Sequence, residues 1–313
     1  MTTAAVTAPL KYSDPERGHK RRVRLFALLA ITLIVSLLIQ GFQYYRMPLE
    51  LRHDSPVHDK LKPSGTIGLK LGIFGVFLFC CIFVYPLRKR WPWLMRKGNS
   101  KHWLDFHIVM GLTAPWVIAC HASFKFHGFA GLAFFIMSAV AASGVVGRYL
   151  YNQIPRRVNS SELSLQEAKD LQAHLVSELA AQQFFNEEDL KPLFRLPSEE
   201  QAMKMPLILT LLYMAFLDIT RPFKVSRLRL RSLAGLEILT TLGGLLHTSH
   251  AEVEIVIDLA RTQASLSKRL VFLSRAQQIF HLWHVIHRPF SFSFVCLAVI
   301  HITVVTLLGF ARL

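Results

Sequence analysis

The sequence predicts an all-α integral membrane protein: a helical bundle of about five transmembrane helices, with a helical cytoplasmic insertion between the fourth and fifth spans. Three observations predict it. Of the 313 residues, 52% are hydrophobic, and the mean hydropathy is positive at +0.35. Several uninterrupted apolar runs approach about twenty residues, the length that crosses a bilayer as a helix. The Lys and Arg residues, which give a formal net charge of +16, gather beside those runs. That placement follows the positive-inside rule, so the basic balance speaks for membrane topology and against nucleic-acid binding.

Residues 1–24 form a polar segment ending in Lys20, Arg21, Arg22 and Arg24, which places the N-terminus in the cytoplasm. The first apolar run starts near Leu25. It is too long for the h-region of a signal peptide and lacks a small-residue cleavage site, so an uncleaved span is expected over 25–45. Phe42, Tyr44 and Tyr45 close that span as interfacial aromatics, and a mixed-charge loop, 46–64, follows on the outer side. Span two, 66–87, ends at PLRKRWPWLMRKGNSK, a basic and Trp-bearing anchor on the inner side.

Span three, 103–124, then runs outward. A tight link at 125–128 leads into span four, 129–150, which returns. Its interior carries Ala139, Ala141, Ala142, Ser143, Gly144 and Gly147, a face that permits close helix approach in lipid. The run GVVGRYLYNQIPRR marks the cytoplasmic exit, which bounds the four-helix transmembrane part at 25–156.

Residues 157–280 form the cytoplasmic insertion. Ser164 and Glu167 fit a capping box that opens a helix to about residue 184. Residues 237–245 and 252–280 also read as helical. The run 205–219 is apolar but short, a length that suits a buried or interfacial helix better than a span. Residues 281–313 carry the fifth span, roughly 289–310, which runs outward and leaves the C-terminus outside. A bacterial cytoplasmic membrane is the expected host.

Two spans carry matched histidines. His107 and His121 are fourteen residues apart, and so are His287 and His301. Fourteen steps of about 100° return to roughly the same helix face, about 21 Å further along the axis. Spans three and five both run outward in this topology. His107 therefore pairs with His287 towards the inner side, and His121 with His301 towards the outer side. Small residues accompany them on the same faces: Gly111 and Ala114, then Ile118, on span three; Ser291, Phe294 and Ala298 on span five. Small residues beside a ligand leave room for a porphyrin. Neutral imidazole is an ordinary axial ligand of iron, and two imidazoles saturate it, which favours electron transfer over oxygen chemistry. The constellation reads as two b-type haems. The alternative is a non-redox membrane scaffold or proton-relay transporter subunit whose histidines bridge helices.

The other histidines fit less well. His284 stands about 100° out of phase with His301. His102 loses to His107 in the same way, His127 lies in the outer link, and His247 and His250 form an H-x-x-H on a solvated face. Anionic propionates call for cations. The inner candidates are Lys101, Arg148, Arg156 and Arg288, and Arg148 stands out because it lies within the end of span four. The outer candidates are Lys125, Arg52 and Arg46. Tyr149 and Tyr151 are candidates for a quinone pocket. Cys80, Cys81, Cys120 and Cys296 all lie in apolar runs and form no C-x-x-C or C-x-x-C-H, so covalent c-type haem and iron–sulfur clusters are unsupported.

At these residues the chain resembles the ferric-reductase-like transmembrane domain, the group that holds NADPH-oxidase and metalloreductase cytochromes. The likeness rests on His107, His121, His287 and His301 and covers roughly 100–156 and 281–310. The strings GRYLYNQIPR and WHVIHRPF are similar to bacterial b-type cytochrome subunits of this kind. The resemblance implies two haem-ligating histidines on each of two spans. That family usually continues into a flavin and nicotinamide domain. Here no G-x-G-x-x-G, P-loop or catalytic-triad pattern occurs, so NADPH and oxygen chemistry is not carried over. The expectation is an electron-transfer subunit of an oxidoreductase complex without a complete active site of its own. Its expected partners are the lipid bilayer, other redox subunits or soluble electron carriers, and menaquinone or ubiquinone.

Overall fold

A computed structural model describes residues 17–155, 164–182, 184–232, 241–248 and 250–310. Among the described residues every regular element is helical. In chain order these are α1 (Arg17–Arg46), a 3₁₀ turn (Leu49–Asp54), α2 (His58–Leu61), α3 (Thr66–Arg88), α4 (Pro92–Met95), α5 (Ser100–His121), α6 (Gly128–Gln153), α7 (Leu165–Ala180), α8 (Glu187–Phe194), α9 (Glu199–Lys204), α10 (Leu207–Ser232), α11 (Ala251–Val271) and α12 (Leu273–Leu307). Five of them, α1, α3, α5, α6 and α12, are long and apolar enough to cross a membrane. Their outward faces agree: Leu28 is 60% exposed, Ile39 70% and Leu307 81%. So much contiguous exposed apolar surface is untenable in water and ordinary against lipid. The chain fits a multi-pass membrane protein.

The helices are longer than the apolar runs alone suggest. α1 is already helical at Arg17, ahead of the hydrophobic stretch, and its His19 finds partners inside the fold. The last helix begins at Leu273 rather than at residue 281, with only Phe272 separating it from α11. The expected helix over 237–245 falls partly outside the described residues, and residues 241–245 form turns.

Two compact units divide the chain, residues 1–145 with 289–313, and residues 146–288, so the division passes through α6 and α12. In the first unit α3 and α5 form the most extensive helix pair, with α1 against α5. Leu71, Leu78, Ala114, Val117 and Cys120 make their shared core. Glycine permits the close approach: a Cβ at Gly75 would stand 2.4 Å from Ile118 Cδ1. The link after α5 is rigid. Ser123 and Phe124 adopt positive φ (48° and 57°), and the fully buried Ser123 donates its Oγ proton to the Leu61 carbonyl at 2.6 Å.

The second unit has an interior of the soluble type. Val253, Val256, Ile257, Ala260 and Ala264 of α11 pack with Val225 and Leu228 of α10 and Leu190 and Leu193 of α8. Ser164 and Glu167 form the expected capping box at α7, and Ser198 and Gln201 form another at α9. Arg229 grips Glu254 through two 2.8 Å hydrogen bonds in the interior, while His247 stays exposed 3.9 Å from the same carboxylate.

Candidate functional site

His107 and His121 lie on α5, and His287 and His301 on α12, so each fourteen-residue pair sits on one unbroken helix. Nδ1 of His121 lies 2.8 Å from the carbonyl oxygen of Gly68, and Nδ1 of His107 lies 2.9 Å from that of Ile82. A carbonyl oxygen can only accept. Both Nδ1 atoms therefore carry the proton, and both Nε2 atoms keep a lone pair for a ligand or metal. Gly68 and Ile82 are themselves fourteen residues apart on α3, so the two contacts share one antiparallel register between α3 and α5.

The local sequence explains why these carbonyls are available. Pro86 has no N–H, so the Ile82 carbonyl lacks its ordinary donor four residues on and takes the His107 proton instead. At the other end, a Cβ at position 72 would stand 2.8 Å from Nδ1 and Cε1 of His121. Only glycine lets that ring lie flat enough against α3 to reach Gly68. Tyr85 adds a ring 5.2 Å from that of His107.

His121 and His301 face one cavity of about 320 Å³ in the first unit. That volume lies at the lower end of the range for small-molecule and cofactor sites. α3 contributes Gly72 and Phe79 to its wall, α6 contributes Ala133, and α12 contributes Phe294 and Ala298. Phe79 and Phe294 meet edge-on at 4.8 Å and close one side. The wall is otherwise apolar, and Lys125 is a cation that reaches it.

Several expected residues find their places here. Ile118, Phe294 and Ala298 line the cavity as their helix phase requires. A Cβ at Gly111 would meet nothing within 4 Å, so that face of α5 is open. Ala114 is different: it is 1% exposed in the core with α3 and leaves no room beside a cofactor. Arg52 is committed elsewhere too, donating to the carbonyls of Met47, Tyr45 and Ser123, and Arg46 lies over the Phe42 ring. Of Lys125, Arg52 and Arg46, Lys125 is the one that lines the cavity.

His107 belongs to the first unit and His287 to the second. Within its own unit, the His287 ring lies 4.6 Å from that of Trp283. Trp283 also covers Gly147, where a Cβ would stand 2.2 Å from the indole, so the small-residue face of α6 is a packing face there. His284 donates its Nδ1–H to the Phe280 carbonyl of its own helix at 3.0 Å. Arg148 holds its guanidinium over Tyr151, 5.7 Å from the ring centre. The Tyr149 hydroxyl donates to Asp218 at 2.9 Å, which ties it into a polar cluster of the second unit. Arg156 lies outside the described residues.

The sequence reading missed the supports of the ligands: Gly68, Gly72, Ile82 and Pro86. A proline late in an apolar helix and the G-x-x-x-G at 68–72 were the available signals. It also missed His19, which is buried, pairs with Asp105 at 2.9 Å and stacks on His102 at 3.5 Å.

Among the described residues no group of three or more His, Cys, Asp or Glu is placed to hold a metal ion by itself. His121 and His301 line one cavity, and they are the two imidazoles there that could ligate a metal. No protein-family model, curated protein or solved structure matches the chain.

Proposed function

We propose that the chain is a di-haem b-type cytochrome subunit that carries electrons across a membrane, between a partner redox protein or quinone on one side and an acceptor on the other. The observation that carries this reading is the matched anchoring of His107 and His121. Each imidazole donates Nδ1–H to a carbonyl of α3, which fixes its tautomer and leaves the Nε2 lone pair for a ligand. Histidines that ligate metals are held in this way, and the outer hydrogen bond raises their basicity as ligands.

Four side chains would hold the cofactors: His121 and His301, which line one cavity, and His107 and His287. Iron porphyrin held by these imidazoles would supply reversible one-electron transfer. The chain's own contribution is orientation and exclusion of water. Gly72 and Gly111 leave space against the backbone, Phe79 and Phe294 wall the His121 cavity, and Lys125 offers a cation for a propionate. The N-terminus and the 157–280 insertion lie on the cytoplasmic side in this reading, and the insertion is the docking surface for a redox partner.

Transfer across the bilayer tests the proposal. Haem-loaded protein is reconstituted in vesicles with ferricyanide trapped inside, and dithionite is added outside. The trapped ferricyanide should be reduced, and substituting any of the four histidines by Ala should abolish the reaction. A helix-bridging or proton-relay role predicts no reduction above that of empty vesicles.

A further inference from the structure

We propose that α10 lies along the membrane surface as an interfacial helix, with one face sunk to the headgroup–acyl boundary and held by anionic phospholipid. The helix has two apolar faces. Its inner face packs Met214 and Leu217 on Phe272 and Ala276, and Val225 and Leu228 on the core of the second unit. Its outer face carries Ile208, Leu212, Phe216, Ile219 and Phe223, each between 58% and 76% exposed. Their spacing of four, four, three and four residues is a single helical stripe. No charged residue occurs from 207 to 217. A stripe of this size is not left in water without a reason.

Two observations identify lipid as the occupant. The first is continuity with a membrane-spanning helix. Leu207 lines one surface groove with Gln278, His281 and Leu282, so the stripe starts beside α12. There α12 exposes Leu282 (46%), Val285 (56%) and Ile286 (59%), and α12 is itself long and apolar enough to cross a membrane. The second is charge. Past the apolar stretch Arg221, Arg229 and Arg231 pair with Asp218, Glu254 and Asp189, which leaves Lys224 and Arg227 as the cations on this part of the helix outside those ion pairs. Lys224 sits in the field of Arg221 and Arg195, and Arg227 is exposed. Apolar surface beside cations is the make-up of a helix that lies in the interface and recognises anionic headgroups. The uncharged stretch rises only about 16 Å, too short to span the hydrocarbon, so it lies on the membrane rather than crossing it.

Photolabelling in the full-length chain tests this. The protein is reconstituted in vesicles of phosphatidylcholine and phosphatidylglycerol, about 3:1, that contain a diazirine phospholipid. Adducts are then mapped by mass spectrometry. Adducts are expected on residues 207–223 as well as on the five spans. Leu212→Asp with Phe216→Asp should cut the 207–223 adducts by about tenfold and leave those on the spans unchanged. Lys224→Gln with Arg227→Gln should lower them only when phosphatidylglycerol is present. Labelled spans with an unlabelled 207–223 peptide would overturn the proposal, and would mean that a second copy or the protein itself covers the stripe. Labelling that ignores both pairs of substitutions would overturn it as well.

Discussion

Nδ1 of His121 lies 2.8 Å from the carbonyl oxygen of Gly68, so the imidazole donates its Nδ1 proton to α3 while its ring lies against Gly72. His107 repeats the arrangement at Ile82, one matching interval along the same two helices. α3 carries none of the four histidines, yet its carbonyls orient both imidazoles of α5. It behaves as an orienting helix, and such outer contacts change metal affinity by about 10–100-fold when lost.

Gly72 is the most sensitive position in that helix. A methyl there would stand 2.8 Å from the His121 ring, and the ring would have to leave its carbonyl partner. Gly72→Ala should weaken one haem by about 10–100-fold and spare the other, read as haem per chain on titration. Full occupancy of both haems would show that the ring does not depend on this approach.

Gly111→Ala separates cofactor space from fold stability. The added methyl meets no protein atom within 4 Å, and Gly to Ala within a helix stabilises by about 1 kcal/mol. The apoprotein should melt no lower than the parent, while haem uptake falls. Unchanged uptake would place the porphyrin on another face of α5.

Pro86→Ala restores an N–H that competes with His107 for the Ile82 carbonyl. A redox titration should show one midpoint potential moving and the other staying. Movement of both, or of neither, would contradict the assignment of separate supports to the two histidines.

The pairing itself has a sharp genetic signature. His121→Ala and His301→Ala should remove the same haem spectrum, as expected of two residues that face one cavity. His107→Ala and His287→Ala should remove the other. A crossed pattern, His121 with His287, would invert the relative direction of the two helices.

In the second unit, the Lys268 ammonium is 1% exposed and pairs with Asp218, which also accepts from Tyr149. Asp218→Ala leaves that cation buried and unpaired and should cost about 3–5 kcal/mol. Asp218→Leu with Lys268→Met should recover most of it. Burial works against the charge on Asp218, but the Lys268 and Tyr149 hydrogen bonds and Arg221 outweigh it and hold its carboxyl below the ordinary value of 3.8. The unfolded carboxyl then takes a proton before the folded one does. The stabilisation is present above pH 3.8 and is lost as the pH falls below it through the folded value. Thermal melts taken down this range should show a steeper acid loss for the parent than for Asp218→Asn.

Much of this was legible from residue order alone. Apolar length gave the five crossing helices, and the fourteen-residue spacing gave the shared phase of each histidine pair. Ser164 and Glu167 announced the start of α7. The reading stopped where two helices had to be brought together. Nothing in the sequence says that Ala114 faces α3, or that Arg52 is used up on three carbonyls, because both facts depend on which face meets which neighbour. The α1 start at Arg17 was missed for a similar reason: His19 is polar in sequence, yet Asp105 and His102 bury it. Pro86 was visible all along, but its meaning depends on a histidine twenty-one residues away (86 to 107) on another helix.

The most direct measurement is haem content with a redox titration on purified full-length protein. The account predicts a red protein with about two non-covalent haems per chain, a Soret and α-band that respond to dithionite, and two resolvable midpoint potentials. A folded, colourless and iron-free preparation that takes up no added haem would contradict it.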